Sequence, residues 1–316
     1  MVEYTLRRVL SFIPTIIITL TSIFFITRMI PGSPIAALIG HQAVGAEQIE
    51  AISSDLGLDK SLIDQYLEWL PAVLTGDFGT SLFYEDSVVQ VVMDRFPVTL
   101  YLTVFSMILT ILVGIPLGIY ASIRRGRVAD YASNVFSSLG MAMPSFWLGF
   151  LLIILFAVTL DWLPASGYRS PDFGIWEWLK RLILPVLEQS LAQIGLVVRM
   201  TRASMIDVLD QEYITMARAK GLPESRVVLK HALKNAMTQI STVVGLTFAL
   251  GLGGSVIIEN VFALPGLGQL ITIAAVRRDY AMLEGGIFYL TLVALIVNLA
   301  VDLAYAYFNP RIRHTG

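Results

Sequence analysis

The chain has 316 residues, 56% of them hydrophobic and only 15% charged, with a mean hydropathy of +0.72. Soluble domains carry about 25% charged residues, so this composition excludes a soluble globular protein and implies a polytopic membrane protein. A net charge of −2 gives no basis for binding nucleic acid, and the lack of cysteine excludes disulfide, iron–sulfur and cysteine–zinc chemistry. The three histidines, His41, His231 and His314, are scattered and form no metal-ligand spacing.

Arg7 and Arg8 precede an apolar run from Val9 to about Ile30. That is roughly 20 residues, enough to cross the hydrocarbon core. The run ends in Arg28 and Pro31-Gly32 rather than a small-residue cleavage site, so it reads as a retained first span and not a signal peptide. Residues 31–97 form the only long stretch outside the spans, and they are rich in Asp and Glu. Helical pieces are predicted there at Glu47–Leu56, at Lys60–Leu74 behind an Asp59 cap, and at Val88–Phe96 behind a Ser87 cap. The last of these is expected to lie along the membrane surface and to lead through Pro97 into the next span. On its residues alone, this external domain either only packs on the helices or docks an external protein.

The second span is predicted at Val98–Ile123, where Gly114 and Gly118 form a GxxxG face suited to close helix contact in lipid. Arg124, Arg125 and Arg127 mark a short cytoplasmic loop. The third span is predicted at Val135–Leu160 with Pro144 inside, followed by an aromatic-rich external loop to Trp178. The fourth, Leu182–Val198, is the least apolar and contains Glu188, Gln189 and Gln193. A carboxylate at mid-depth costs about 2.5 kcal/mol or more, so such groups face a bundle interior or a watery cavity. Glu188 and Gln193 are therefore candidates for a translocation path that favours a cationic group. The plainer alternative is a glutamate near the outer interface, protonated or hydrogen-bonded, with no role toward substrate. The fifth span, Ile240–Val261, carries Gly245, Ala249 and Gly253 as a small-residue ladder. The last is predicted at Gly285–Phe308, with Asn298, Asp302 and Tyr305 on one face as structural hydrogen-bonding groups.

Between the fourth and fifth spans lies a polar, basic segment, DQEYITMARAKGLPESRVVLKHALKNAM, from Asp210 to Met237. Gln211 to Lys220 reads as a short helix stopped by Gly221. Pro223 fits the first turn of a second helix, and Glu224 suits its N-terminal dipole. The pattern is helix, glycine turn, helix at a membrane surface. The small residues Ala217, Ala219 and Gly221 would let another protein approach the backbone. The plainer alternative is an ordinary basic cytoplasmic loop.

Glu212-Tyr213, Ala217-Arg218-Ala219-Lys220-Gly221-Leu222, Lys230-His231-Ala232-Leu233 and Asn235 resemble the coupling loop of ABC-importer permeases, more narrowly the dipeptide/oligopeptide/nickel branch. Lys234 stands where the wider family often has proline. The external stretch Gly57-Leu58-Asp59-Lys60 … Gly76-Asp77-Phe78-Gly79-Thr80-Ser81 resembles the subunit with the long first external loop. Glu259-Asn260-Val261-Phe262 with Pro265-Gly266-Leu267-Gly268, and the closing Pro310-Arg311-Ile312-Arg313, resemble the family's re-entrant element and end signature.

The resemblance implies an all-α integral membrane protein with six transmembrane helices and the type I ABC-importer fold. It divides the chain into a first helix (1–30), an extracytoplasmic loop domain (31–97) and a five-helix core (98–316) with its coupling loop at 203–235. It implies a prokaryotic inner-membrane location with both termini cytoplasmic, a homologous second permease as heterodimer partner, two P-loop ATPase subunits and an extracytoplasmic substrate-binding protein. The docking residues it implies are Glu212, Tyr213, Ala217, Arg218, Ala219, Lys220, Gly221 and Leu222. No GxxxxGK[ST], HExxH or GxSxG motif occurs, so no catalytic site is expected, and ATP and magnesium are expected on the partners, with no cofactor or metal in this chain. Peptides are the expected cargo, with nickel chelates, glutathione or oligosaccharides as alternatives within the branch. A stand-alone secondary transporter is the rival class; such proteins often show inverted repeats, and none is visible here.

Overall fold

A computed structural model describes residues 2–29, 53–54, 57 and 59–308, with side chains undescribed at 2–4, 7 and 301–308. The expected helix at Glu47–Leu56 and the Pro310–Arg313 signature lie outside the described residues, except for Ser53 and Ser54. So do the side chains of Asp302 and Tyr305; Asn298 is exposed. Five helices are long and apolar enough to cross a membrane, and six if one bent pair counts as a single span.

The described helices are α1 (Val2–Leu10), α2 (Phe12–Met29), α3 (Leu62–Leu74), α4 (Val88–Ile123), α5 (Val128–Ala142), α6 (Ser145–Leu152), α7 (Ile175–Leu209), α8 (Glu212–Ala219), α9 (Glu224–Arg226), α10 (Leu233–Val261), α11 (Leu267–Arg277) and α12 (Tyr280–Phe308). Wider π turns extend α6 over Ile153–Thr159 and join α9 to α10 over Val227–Ala232. The chain divides into two compact units.

One unit comprises residues 10–98 and 265–293. Here α3 starts later than expected: Ser61, not Asp59, is its N-cap, and its hydroxyl accepts from the Asp64 N–H at 3.2 Å. The Thr21 and Tyr66 hydroxyls hydrogen-bond at 2.7 Å, and Phe24 packs edge-on against Tyr66. Buried Glu284 accepts from Thr27 at 3.0 Å and pairs with Arg28, whose guanidinium lies over the Phe24 ring. Buried Asp279 caps α12 through the Met282 N–H and accepts from the Ser81 hydroxyl at 2.5 Å. The apolar centre includes Leu20, Phe78, Val88, Leu267 and Leu270. The stretch expected as a re-entrant element contributes α11, a short apolar helix.

Val88–Phe96 is not a separate surface helix: α4 runs unbroken through Pro97. Proline removes one N–H donor, but in an apolar stretch continued helix is the form that keeps the remaining backbone groups bonded.

The other unit comprises residues 1–9, 99–264 and 294–316, and α7 is its centre. This helix is the least apolar of the candidate spans and the most buried, as its polar residues require. A β-carbon on Gly118 would lie 2.6 Å from Thr201 Cβ and 2.8 Å from the Val198 carbonyl, and one on Gly114 would lie 2.9 Å from Val197. The expected GxxxG contact is thus α4 against α7. Gly195 of α7 meets α5, where a β-carbon would lie 2.8 Å from the Ser137 carbonyl. Asp130, buried on α5, accepts from Arg202 of α7 in a two-pronged ion pair, with Nη2 at 2.9 Å, and also caps the Gly126 N–H at 2.9 Å.

The structure amends two expectations in this unit. The third span is not one helix: α5 and α6 meet at a break with a 104° bend. Pro144 disfavours helical geometry in the residue before it, and Met143 is extended at φ −77°, ψ 130°. Of the small-residue ladder on α10, Gly245 is buried and Ala249 half-buried. Gly253 is exposed with nothing within 4 Å of an added β-carbon, whereas Gly251 is the one approached, by the amides of Gln189 and Gln193.

Gly118→Ala is expected to destabilise the detergent-purified chain by about 1–3 kcal/mol through overpacking. Gly253→Ala, with open space around it, is expected to be close to neutral, and a comparison of thermal midpoints checks both.

Candidate functional site

The segment between α7 and α10 folds as a helix, a tight turn and a second helix. Asp210 closes α7, and α8 follows at once. Gly221 has φ +78°, the left-handed geometry that stops a helix cheaply only when the residue lacks a β-carbon. Its N–H donates to the Arg218 carbonyl at 2.9 Å. Pro223 precedes the second helix as its N-cap rather than lying in its first turn. The Arg218 guanidinium spans the turn to Glu224, with Nη2 to Oε1 at 2.8 Å, and that hydrogen bond holds the guanidinium above its ordinary range. Arg125 pairs with Asp210 at 2.9 Å, and Asn235 donates to the Tyr213 hydroxyl at 2.8 Å.

The two faces of α8 differ sharply. Ile214 and Ala217, three residues apart, turn inward onto Met205, Val227, Val228 and Ala232. Glu212, Tyr213, Arg218, Ala219, Lys220 and Gly221 are exposed. Leu222 is half-buried against the same apolar cluster. Ala217 therefore corrects the expectation from sequence: at 8% exposure its small size serves interior packing, not the approach of another protein. Met216, an apolar residue outside the resembling motif, is 66% exposed on the outward face.

Within the span layer of the same unit, Glu188 and Gln193 of α7 line one cavity of about 190 Å³. Ser145 from α6, Gln189 of α7 and Thr247 from α10 are its other polar lining residues, and the rest of the wall is largely apolar, with Leu196, Leu250 and Ile258. Two polar pairs, each spaced by four residues, secure it. Ser106 of α4 donates to Gln189 Oε1 at 3.3 Å, and Thr110 donates to Gln193 Oε1 at 3.1 Å. The Gln189 amide nitrogen then reaches the Gly251 carbonyl at 2.8 Å. Glu188 is 2% exposed, and its Oε2 has no hydrogen-bond partner among the described residues. Glu188, Gln189 and Gln193 stand out in the sequence, whereas Ser106 and Thr110 do not. Matched i, i+4 polar pairs in two separate spans were the signal available.

A model of the binding-protein-dependent transport system inner membrane component matches residues 114–314. The N-terminal model of the same kind of component matches residues 1–103. The chain belongs to this family.

It is a multi-pass membrane permease. It is 39% identical, over 99% of this chain and all of the relative, to a peptide transport system permease protein of Brucella abortus (strain 2308). The glutathione transport system permease protein GsiC of Escherichia coli (strain K12) matches with the same identity and coverage. Among solved structures, an inward-facing methionine ABC transporter, MetNI, superposes with a TM-score of 0.58. That match covers 70% of this chain and 97% of the other at 16% identity, and it supports the shared type I importer fold.

The opposed faces of α8 separate packing from surface roles. Ala217→Leu is expected to loosen the helix–turn–helix and speed its proteolysis in membranes. Ala219→Leu is expected to leave the protease pattern of the permease unchanged.

Proposed function

We propose that this permease carries peptides inward as one half of a heterodimer with a second, homologous permease. Two P-loop ATPase subunits hold ATP and magnesium, and an extracytoplasmic binding protein delivers the cargo. The chain itself catalyses no reaction. Both termini lie in the cytoplasm, which puts the Arg124–Arg127 loop and the basic 210–237 segment on the side that the positive-inside rule favours. The observation that carries the cargo reading is that relatives named for peptide and glutathione transport align over 99% of the chain.

The outward face of α8, with the turn at Gly221, is the docking element for an ATPase subunit. Its support is geometric: an exposed, charged face is backed by a packed apolar one, so a push on the outside reaches α7 and α10 through Ile214 and Ala217. Glu212, Tyr213, Arg218, Ala219, Lys220 and Gly221 would meet the partner directly. Closure of the ATPases would move α8 as a lever and turn the spans between inward and outward arrangements, exposing a path that Glu188 and Gln193 border.

A C-terminally tagged permease, isolated from native membranes in mild detergent, is expected to bring with it a second permease and P-loop ATPases. Recovery of the chain alone would overturn the complex. Gly221→Val places a β-branched residue in left-handed geometry at a cost of about 1–2 kcal/mol. It is expected to insert normally and recover about tenfold less ATPase. Gly221→Asn, which tolerates that geometry, should lose less. Equal recovery by all three proteins would sink the lever assignment.

A further inference from the structure

Glu188 presents a chemical contradiction that its own chain does not resolve. Its side chain is withdrawn from solvent, and Oε2 finds no donor among the described residues. Among the described residues, no Arg, Lys or His lines the cavity beside it. A buried carboxylate without a partner is costly; taking up a proton relieves the cost, and the arrival of a cation offsets it. The neighbouring amide is already committed: Gln189 accepts from Ser106 and donates to Gly251. Gln193 spends its carbonyl oxygen on Thr110 and keeps its amide N–H groups as donors. The acceptors on the cavity wall are the Glu188 carboxyl and two hydroxyls. The Thr247 hydroxyl donates to the Val244 carbonyl at 2.7 Å, which leaves its oxygen able to accept. The Ser145 hydroxyl borders the same space at the start of α6.

A primary ammonium carries three donors and no acceptor. One unpartnered carboxylate oxygen and two hydroxyl oxygens match that demand. A bare metal ion fits poorly, because oxygen ligands must close to about 2.3–2.6 Å around it and a lone carboxylate in a space of this size does not form such a cage. Gly254 in the wall has open space beside it, with nothing within 4 Å of an added β-carbon. We propose that the cavity between α6, α7 and α10 is a binding site within the permease for the primary ammonium of a peptide, with Glu188 as its counter-charge and Ser145 and Thr247 as the remaining acceptors. This rests on the peptide-import reading and adds to it: cargo is recognised once more after leaving the binding protein, by charge and not by side chain.

The absence of native cysteine allows a direct test in the intact complex. Ala192 lines the cavity, and Leu250, also in its wall, is 60% exposed. Ala192→Cys and Leu250→Cys are made separately and labelled with a fluorescent maleimide in membranes, read on this chain's own gel band. The competitors are trialanine, N-acetyl-trialanine and N-acetyl-alanyl-lysyl-alanine. Trialanine is expected to protect at least one reporter. Acetylation of its amino group, or Glu188→Gln in the same background, should raise the half-protecting concentration about tenfold or more, the size of one charge-assisted hydrogen bond. Protection by trialanine alone assigns the peptide terminus, and protection by the acetylated lysyl peptide as well assigns any peptide ammonium; both support the site. Protection indifferent to acetylation and to Glu188→Gln, no protection, or a cavity that maleimide enters from neither reporter would overturn it. ATP-driven uptake of trialanine by the same membranes reads the import function separately. Uptake without protection refutes this site alone, whereas absence of uptake and of copurifying ATPases refutes the function beneath it.

Discussion

The packing of α7 against its neighbours is the constraint on which the 99–264 part of the permease depends. Lipid tails are as apolar as leucine, so burying leucine between helices in a membrane gains little. Close contact and interhelical hydrogen bonds must supply the association. The chain provides both on one helix. Gly114 and Gly118 admit the α7 backbone to α4, and Gly195 admits α7 to α5. Gln189 joins α7 to α4 on one side and to the α10 backbone on the other. At another level, Ser204 donates to Gln239 at 2.6 Å, and Arg202 closes on Asp130.

That arrangement explains why the least apolar candidate span is also the most buried. Its polar groups are the means by which three neighbouring helices are held. It also explains why Glu188 stands out. Gln189, Gln193, Arg202 and Ser204 on this helix each have a partner, whereas Glu188 Oε2 and the Thr201 hydroxyl are buried without one among the described residues, and of those two only Glu188 lines the cavity. One carboxylate oxygen left over beside a cavity is the kind of local inconsistency that function, rather than folding, accounts for.

The segment at 210–237 follows the same logic outside the spans. A short helix of eight residues has little stability alone. Here it is held by Ile214 and Ala217 on an apolar cluster shared with α7 and α10, by the Arg218–Glu224 bridge across the turn, and by the αL conformation at Gly221. The result is a small, rigid projection with its charged face free, seated on the two helices that also border the cavity.

Much of this was legible in the residues themselves. Composition placed the chain in a membrane, apolar runs of about 20 residues gave the spans, and Gly221 with Pro223 marked the turn because their backbone preferences are local. Proline at 97 and 144 shows where local reading stops. The same residue type passes inside α4 and sits at the sharp break between α5 and α6, and only the surrounding packing distinguishes them. Ala217 and Ala219 are likewise indistinguishable as letters, yet one faces the interior and the other the outside, because the seating of α8 is decided by Ile214 finding Met205 and Val227. The meeting of Ser106 with Gln189 across 83 residues of chain, and the cavity that results, belong wholly to tertiary structure. A hydropathy pattern says that a helix crosses; which of its faces meets which neighbour depends on rotations that contacts distant in sequence determine.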